Sequence, residues 1–380
     1  MRLRWTWRIG SIAGIDIGVH PSWLVVFALF AYVAFDRSSL LGFDLPDGQR
    51  VALGLLVSLV LFASVVVHEF SHAFVARRQG IPIGNITLFL FGGVATILRE
   101  PGTPMDEVRM AAAGPLASVG LAVIFGGLWL ACAALNLTWG AAFCELLALC
   151  NFMLAVFNLL PAFPSDGGRI LRAIIWKAVG SQARATGIAA MVSILIASLL
   201  MSAGLWYAIA EHDTDPQSSL ALWPVVIGAF LLQAALASAR QARINLALER
   251  MRVTECLAQK LISVPADTTV ASFVSQLAVG DPSAGYVVVN DGKFVGLLAV
   301  RDTGAVPHDL WDHTPVSAVM TPSHRVPGLT SDAAACDALA QLERHAVREL
   351  PVFENGTLTG VITHDTIFAA LRAKERTDHT

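Results

Sequence analysis

Between residues 17 and 239 the chain is a succession of apolar runs, and no other feature limits its fold so severely. A bilayer core needs roughly 20 apolar residues per helix. Runs close to that length fall at about 18–36, 51–78, 108–135, 140–160, 185–209 and 219–239. The chain is 55% hydrophobic and only 14% charged, against roughly 45–50% and 25% in soluble domains. The imbalance ends near residue 250, beyond which the composition is that of a soluble protein. The sequence therefore predicts an α-helical polytopic membrane domain of six spans and a separate C-terminal domain. The basic N-terminus, MRLRWTWR, is followed by no short apolar core with a small-residue cleavage site, so the first run reads as a retained anchor.

Orientation follows from the basic residues, which favour the cytoplasmic side. With the N-terminus inside, the cytoplasmic ends collect Arg2, Arg4 and Arg8; Arg77 and Arg78; Arg99 and Arg109; Arg169, Arg172, Lys177 and Arg184; and Arg240 and Arg243. Only Arg37 and Arg50 fall outside, beside an acidic loop, Glu211-His212-Asp213-Thr214-Asp215. The expected location is a multi-pass cell-membrane protein with both termini cytoplasmic. A net charge of −3 without a basic block gives no sign of nucleic acid as a partner. The five cysteines show neither C-x-x-C spacing nor a secreted disulfide pattern.

One apolar stretch does not fit as a span. Residues 81–98, IPIGNITLFLFGGVATIL, hold a proline, glycines and β-formers, and a crossing here would invert every later loop. Strands are expected instead, and Gly14–Val19, which alternates with period two, is a candidate partner for them. Strands at membrane depth persist only when buried in protein or lining a cavity. This small β element is thus a candidate wall of a site.

The second run ends in VVVHEFSHAFVARRQG. His68 and His72 are four apart, so a helix places them on one face, where they can share a metal. Glu69 follows the first histidine and is spaced to act as general base toward a water on that metal. Ionisable side chains inside a span cost about 2.5–3.5 kcal/mol each on insertion scales, and a divalent ion supplies the compensation. A catalytic zinc needs a third protein ligand and an open position. Asp166, in NLLPAFPSDGGR at the cytoplasmic end of the fourth span, is the candidate, because prolines and glycines there let the chain turn back. The alternative for Asp166 is an N-cap to a helix over 168–179.

HEFSH in a span, FGG in the strand region, AAAGPLAS opening the third span and FNLLPAFPSDGGR after the fourth together resemble the site-2 protease family of intramembrane zinc metalloproteases. The likeness covers nearly the whole chain and points to the prokaryotic branch that carries CBS domains. It implies one zinc held by His68, His72 and Asp166, with Glu69 as catalytic base. It implies that Asn158 assists the reacting carbonyl, the alternative being an interhelical hydrogen bond. Gly92 and Gly93 are implied to present the substrate backbone, the alternative being close packing. Ser165 occupies a variable place and implies nothing. The expected reaction is hydrolysis of peptide bonds in or near the spans of single-span membrane proteins, in contact with membrane lipid.

The domain boundaries expected are 1–245 for the protease, then 246–312 and 313–380 for two similar units. Each unit places a turn, Asn290-Asp291-Gly292 or Glu354-Asn355-Gly356, between β-rich runs. The pair resembles tandem CBS domains, which implies regulation by adenine nucleotides. The family's ribose-binding pattern is incomplete. The first unit has Gly296 and Asp302 but Ala299 in the hydroxyl place; the second has Gly360 and Thr363 but Thr366 in the acid place. Asp302 and Thr363 are the candidate nucleotide contacts, and a structural or homodimerising module stays open. Two rivals to the protease are a CBS-regulated divalent-cation transporter and a zinc-binding protein that no longer cleaves. A transporter would spread acidic residues over several spans, and retained Glu69 argues against the second rival.

Overall fold

The computed structural model describes residues 6–25, 27–29, 31–32, 46–89, 92–210, 223–257, 261–275, 285–345, 347, 349–355 and 357–377. The chain divides into two compact units, Met1–Ala242 and Arg243–Thr380. Among the described residues, five helices are long and apolar enough to cross a membrane. They are α1 (Asp47–Arg78), α2 (Pro104–Ala134), α3 (Thr138–Asn158), α5 (Gln182–Ala210) and α6 (Trp223–Arg250), with the shorter α4 (Asp166–Val179) between α3 and α5. Of the remaining expected span, 18–36, residues 23–25, 27–29 and 31–32 are helical, and 26, 30 and 33–36 lie outside the described residues. Its expected start is corrected, because Gly18 and Val19 belong to a strand. From Trp223 the last run continues without a break to Arg250 as the single helix α6.

Local chemistry sets the helix ends that matter for the site. Thr103 caps α2 by accepting from the Asp106 N–H, Pro104 occupies the first turn, and Asp106 and Glu107 complement the helix dipole. Gly180 ends α4 in the left-handed conformation, its N–H bonded to the Trp176 carbonyl.

The β element forms as the alternation predicts, with one strand more. β1 (Trp7–Ile12), β2 (Ile15–Val19), β3 (Ile83–Phe89) and β4 (Gly92–Ile97) make one sheet in that order. β2 runs parallel to β3, with Ile17 opposite Ile86, and β3 and β4 are antiparallel, with Leu88 opposite Gly93. Ile15, Val19, Ile86 and Leu88 pack with Ala73 of α1 and beside Phe62, Val66 and Phe70. The sheet thus lies on the helix that carries the H-E-x-x-H residues, and β4 is its outer strand.

The second unit holds two sheets. β5 (Leu261–Pro265), β6 (Gly285–Asn290), β7 (Lys293–Leu298) and β8 (Thr321–Pro322) make the first. β9 (Leu329–Thr330), β10 (Glu349–Glu354) and β11 (Thr357–Thr363) make the second, ordered β11-β10-β9. Asp291 and Gly292 turn the first hairpin with φ of 48° and 74°, the geometry of a type I′ turn. Side chains alternate along β6: Tyr286 and Val288 face one core, while Val287 joins Leu350, Val352 and Ile362 in the other. Val270–Phe273 is helical, and 276–284 lie outside the described residues.

Glu349, at the start of β10, has a buried carboxylate oxygen with no hydrogen-bond partner among the described residues. Burial and the neighbouring Asp302 carboxylate push its carboxyl up to about 7, against a partial pull from Arg301. The folded form therefore holds a proton that the unfolded chain releases at ordinary carboxylate values. Stability from this group is intact below the unfolded value and is lost as pH rises toward about 7. The melting temperature of the second unit should fall between about pH 5 and pH 8, and Glu349→Gln should remove that fall and melt higher than the parent at the upper end. Calorimetry across the range checks it; identical pH profiles would refute it.

Candidate metal centre

His68 and His72 sit one turn apart on α1, both buried, with their rings facing the start of α4. Asp166 is the first residue of that helix. His68 Nε2 lies 3.2 Å and His72 Nε2 3.1 Å from Asp166 Oδ2, and the three atoms fall within 4.8 Å of one another.

The opposite edges of both rings are anchored. His72 Nδ1 lies 2.7 Å from the Met110 carbonyl oxygen. That oxygen can only accept, so the proton of a neutral imidazole sits on Nδ1 and Nε2 presents a lone pair. His68 Nδ1 lies 2.9 Å from Ser118 Oγ, which is free to accept the matching proton. The Nε2 lone pairs then meet the Asp166 carboxylate, acceptor against acceptor, and the arrangement calls for a cation. Zinc fits: arms of about 2.0–2.1 Å at tetrahedral angles separate ligand atoms by about 3.3 Å, close to the separations found.

The turn that delivers Asp166 has its own supports. Ser165, not Asp166, is the N-cap of α4, accepting from the Gly168 N–H, so neither the capping alternative for Asp166 nor the silence assigned to Ser165 stands. Capping by Ser165 leaves the Asp166 carboxylate free to face the histidines. The Phe163 N–H donates to Ser193 Oγ of α5 at 2.8 Å, and Phe163 packs on Ala189 and Ala190. A side chain on Gly167 would meet the Leu159 carbonyl at 2.3 Å, so this tight return admits no larger residue.

Glu69 points to the sheet. The backbone of Gly93 lies so close that an added Cβ would stand 2.3 Å from Glu69 Cγ, and the Ala95 amide hydrogen-bonds to the carboxylate. Gly93 is therefore both closely packed and adjacent to Glu69. Gly92 has open space around its Cβ position and a φ of +119°, so its need for glycine comes from the backbone. Asn158 ends α3 and donates to the Leu154 carbonyl at 2.9 Å, a bond within its own helix and not the interhelical bond of the alternative reading. Glu145, on α3, is a carboxylate within a span-length helix that the sequence reading passed over; it lies outside the donor cluster.

Several residues of the site had no assigned role in the sequence. Gly114 of AAAGPLAS faces the donors: an added Cβ would lie 2.2 Å from His72 Nε2 and 2.5 Å from His68 Nε2. Ser118, four residues on, was legible only as a small residue. The Met110 carbonyl carries no side-chain signal at all.

In the second unit, Thr363 stands opposite Glu349 in the β10–β11 pair, and Glu349 shares a cavity with Asp302. Asp302 Oδ2 accepts from the Ala299 N–H at 2.9 Å and lines a cavity of about 150 Å³ with Arg301, Val347 and Glu349. Thr363 accepts from the Thr366 N–H at 3.1 Å and is not part of that cavity's lining.

The pattern of peptidase family M50 matches residues 56–139 and 132–202, and that of the CBS domain matches 316–373. A relative from Synechocystis named as a zinc metalloprotease, sll0528, is 32% identical over 372 residues, spanning 96% of this chain and 95% of that protein. Zinc metalloprotease MJ0392 of Methanocaldococcus jannaschii is 26% identical over 370 residues, 97% of this chain and 96% of its own. The solved site-2 protease from Methanocaldococcus jannaschii is 30% identical, with a TM-score of 0.42, covering 62% of this chain and 96% of that one.

Replacing Gly114 by alanine should abolish metal retention, because the methyl group would take the space at the donor nitrogens. Zinc per protein, read by atomic emission, is expected to fall at least about tenfold, with helix content by circular dichroism unchanged. Full zinc in Gly114→Ala would contradict the assigned donor geometry.

Proposed function

The chain belongs to peptidase family M50, the site-2 protease family of zinc metalloproteases, and on that premise we propose that it cleaves single-span membrane proteins in or near their spans, in regulated intramembrane proteolysis. The observation that carries the reading is the convergence of His68 Nε2, His72 Nε2 and Asp166 Oδ2, with Glu69 on the next position of the same helix.

His68, His72 and Asp166 would hold one zinc through those atoms. When bound, zinc supplies Lewis-acid polarisation of a water and of the peptide carbonyl. Glu69 would take a proton from the water whose oxygen bonds to the peptide carbon, and would return it to the amide nitrogen as the C–N bond breaks. A substrate helix must first unwind, because its carbonyls are already bonded. The free edge of β4, beside Glu69, is placed to pair with the unwound backbone by strand addition. Asn158 gives one amide hydrogen to the Leu154 carbonyl, and the second N–H of the same nitrogen is the one that would meet a reacting carbonyl.

The clustering of basic residues supports cytoplasmic termini and a site that opens toward that side, with lipid around the spans. The CBS match supports a regulatory tail that also supplies a homodimer contact. The transporter alternative finds less support: the described metal donors form one compact centre, not a series along the spans.

Zinc content and cleavage of a single-span substrate by purified wild type, Glu69→Gln and Asp166→Ala test the centre. Zinc is expected in wild type and Glu69→Gln but not in Asp166→Ala. Cleavage should drop by about 10²–10⁴ in Glu69→Gln; activity persisting there would sink the assignment of the base. For the tail, an adenine nucleotide bound at Asp302 should raise its melting temperature on titration with ATP or AMP, and Asp302→Ala should abolish the rise. No shift in the wild type would leave the tail a structural or dimerising module.

A further inference from the structure

The three donors come from two helices, and a third helix, α2, touches the supports of all of them. One side of α2 carries Glu107, Met110, Gly114 and Ser118, spaced three and four residues apart. The Met110 carbonyl anchors His72, Ser118 anchors His68, and Gly114 leaves room at the Nε2 atoms. Only Asp166 has no direct bond to α2.

Glu107 completes the set. It is 0% exposed. Arg172 Nε of α4 donates to its Oε1 at 2.8 Å, and Arg172 Nη2 reaches the same oxygen. Arg169 Nε stands 3.8 Å from that oxygen. Arg169 and Arg172 follow Asp166 by three and six residues, so the carboxylate of α2 grips α4 within two turns of the metal donor. The second oxygen of Glu107 has no partner among the described residues, so the two arginines alone hold the group.

We infer that Glu107, through Arg172 and Arg169, is the positioning residue for Asp166, fixing the rotation and axial place of α4 so that Oδ2 stays at the metal centre. The inference rests on the metal centre proposed above. With the other α2 contacts it makes one helix face the template for the whole donor set. Metal–ligand distances tolerate only about 0.2 Å, so a small rotation of α4 is enough to weaken the site.

The test uses the full-length protein in detergent. Zinc affinity is measured by competition with a chromophoric chelator, ligand geometry by the visible spectrum of the cobalt-substituted protein, and fold by melting of the metal-stripped protein. The variants are Glu107→Gln, Arg172→Lys, the double Glu107→Gln/Arg172→Met, and Asp166→Asn. Glu107→Gln should lose about 10–100-fold in zinc affinity and alter the cobalt spectrum, with a smaller loss in Arg172→Lys. The double variant strands no charge from the pair, so it should recover melting temperature without recovering affinity. Wild-type affinity and spectrum in the folded Glu107 and Arg172 variants, with only melting changed, would overturn the inference. Arg172→Lys, which keeps the charge, decides the matter if the others do not fold. Wild-type affinity in Asp166→Asn would instead overturn the metal centre itself.

Discussion

Two imidazole lone pairs and a carboxylate oxygen stand within hydrogen-bonding distance in an apolar interior, and the rest of the membrane unit is arranged around that conflict. Acceptors brought together away from water repel unless a cation lies between them. The protein does not relieve the repulsion by turning a ring. The Met110 carbonyl can only accept, which fixes the His72 tautomer, and the neighbouring Ser118 serves His68. Both rings are thus held with their lone pairs inward. The α2 face that does this must pass very close, which is why Gly114 stands where any side chain would fill the metal's place.

The sheet obeys the same constraint from the other side. Strands near a bilayer core are tolerated only against protein, and β2 and β3 meet that condition by packing Ile15, Val19, Ile86 and Leu88 onto α1. The chain then presents β4 as an outer strand, with Gly93 pressed against Glu69. A free strand edge is ordinarily a liability. Here the outer strand lies against Glu69, and Gly93 makes that approach possible.

Much of the centre was legible because it depends on side chains with unmistakable chemistry. His68, Glu69, His72 and Asp166 are costly in an apolar setting, so their presence there is itself a signal. The strand region was legible from its proline, its glycines and its period-two alternation. What escaped was support. A backbone carbonyl such as that of Met110 leaves no trace in a sequence. Gly114 and Ser118 look like the small residues that any helix–helix contact in a membrane uses. Glu107 reads as a first-turn acid favoured by the helix dipole, and only the fold shows Arg172 reaching it. Ser165 escaped for a related reason: a cap and a ligand at adjacent positions look interchangeable until φ and ψ are known.

The tail shows how a motif can persist while its chemistry divides. Gly296, Ala299 and Asp302 in one unit stand where Gly360, Thr363 and Thr366 stand in the other. The Ala299 N–H donates to Asp302, and the Thr363 N–H donates to Thr366 Oγ1, so the third position caps the turn in both. Capping demands only an oxygen three residues on, which aspartate and threonine both supply. It therefore maintains the shared turn geometry in both. Of the two, only Asp302 lines the cavity toward Glu349, and there its carboxylate repels a second one. Thr363 and Thr366 bond to each other and fix the start of the helix His364–Thr377, with Thr363 opposite Glu349 in the β10–β11 pair.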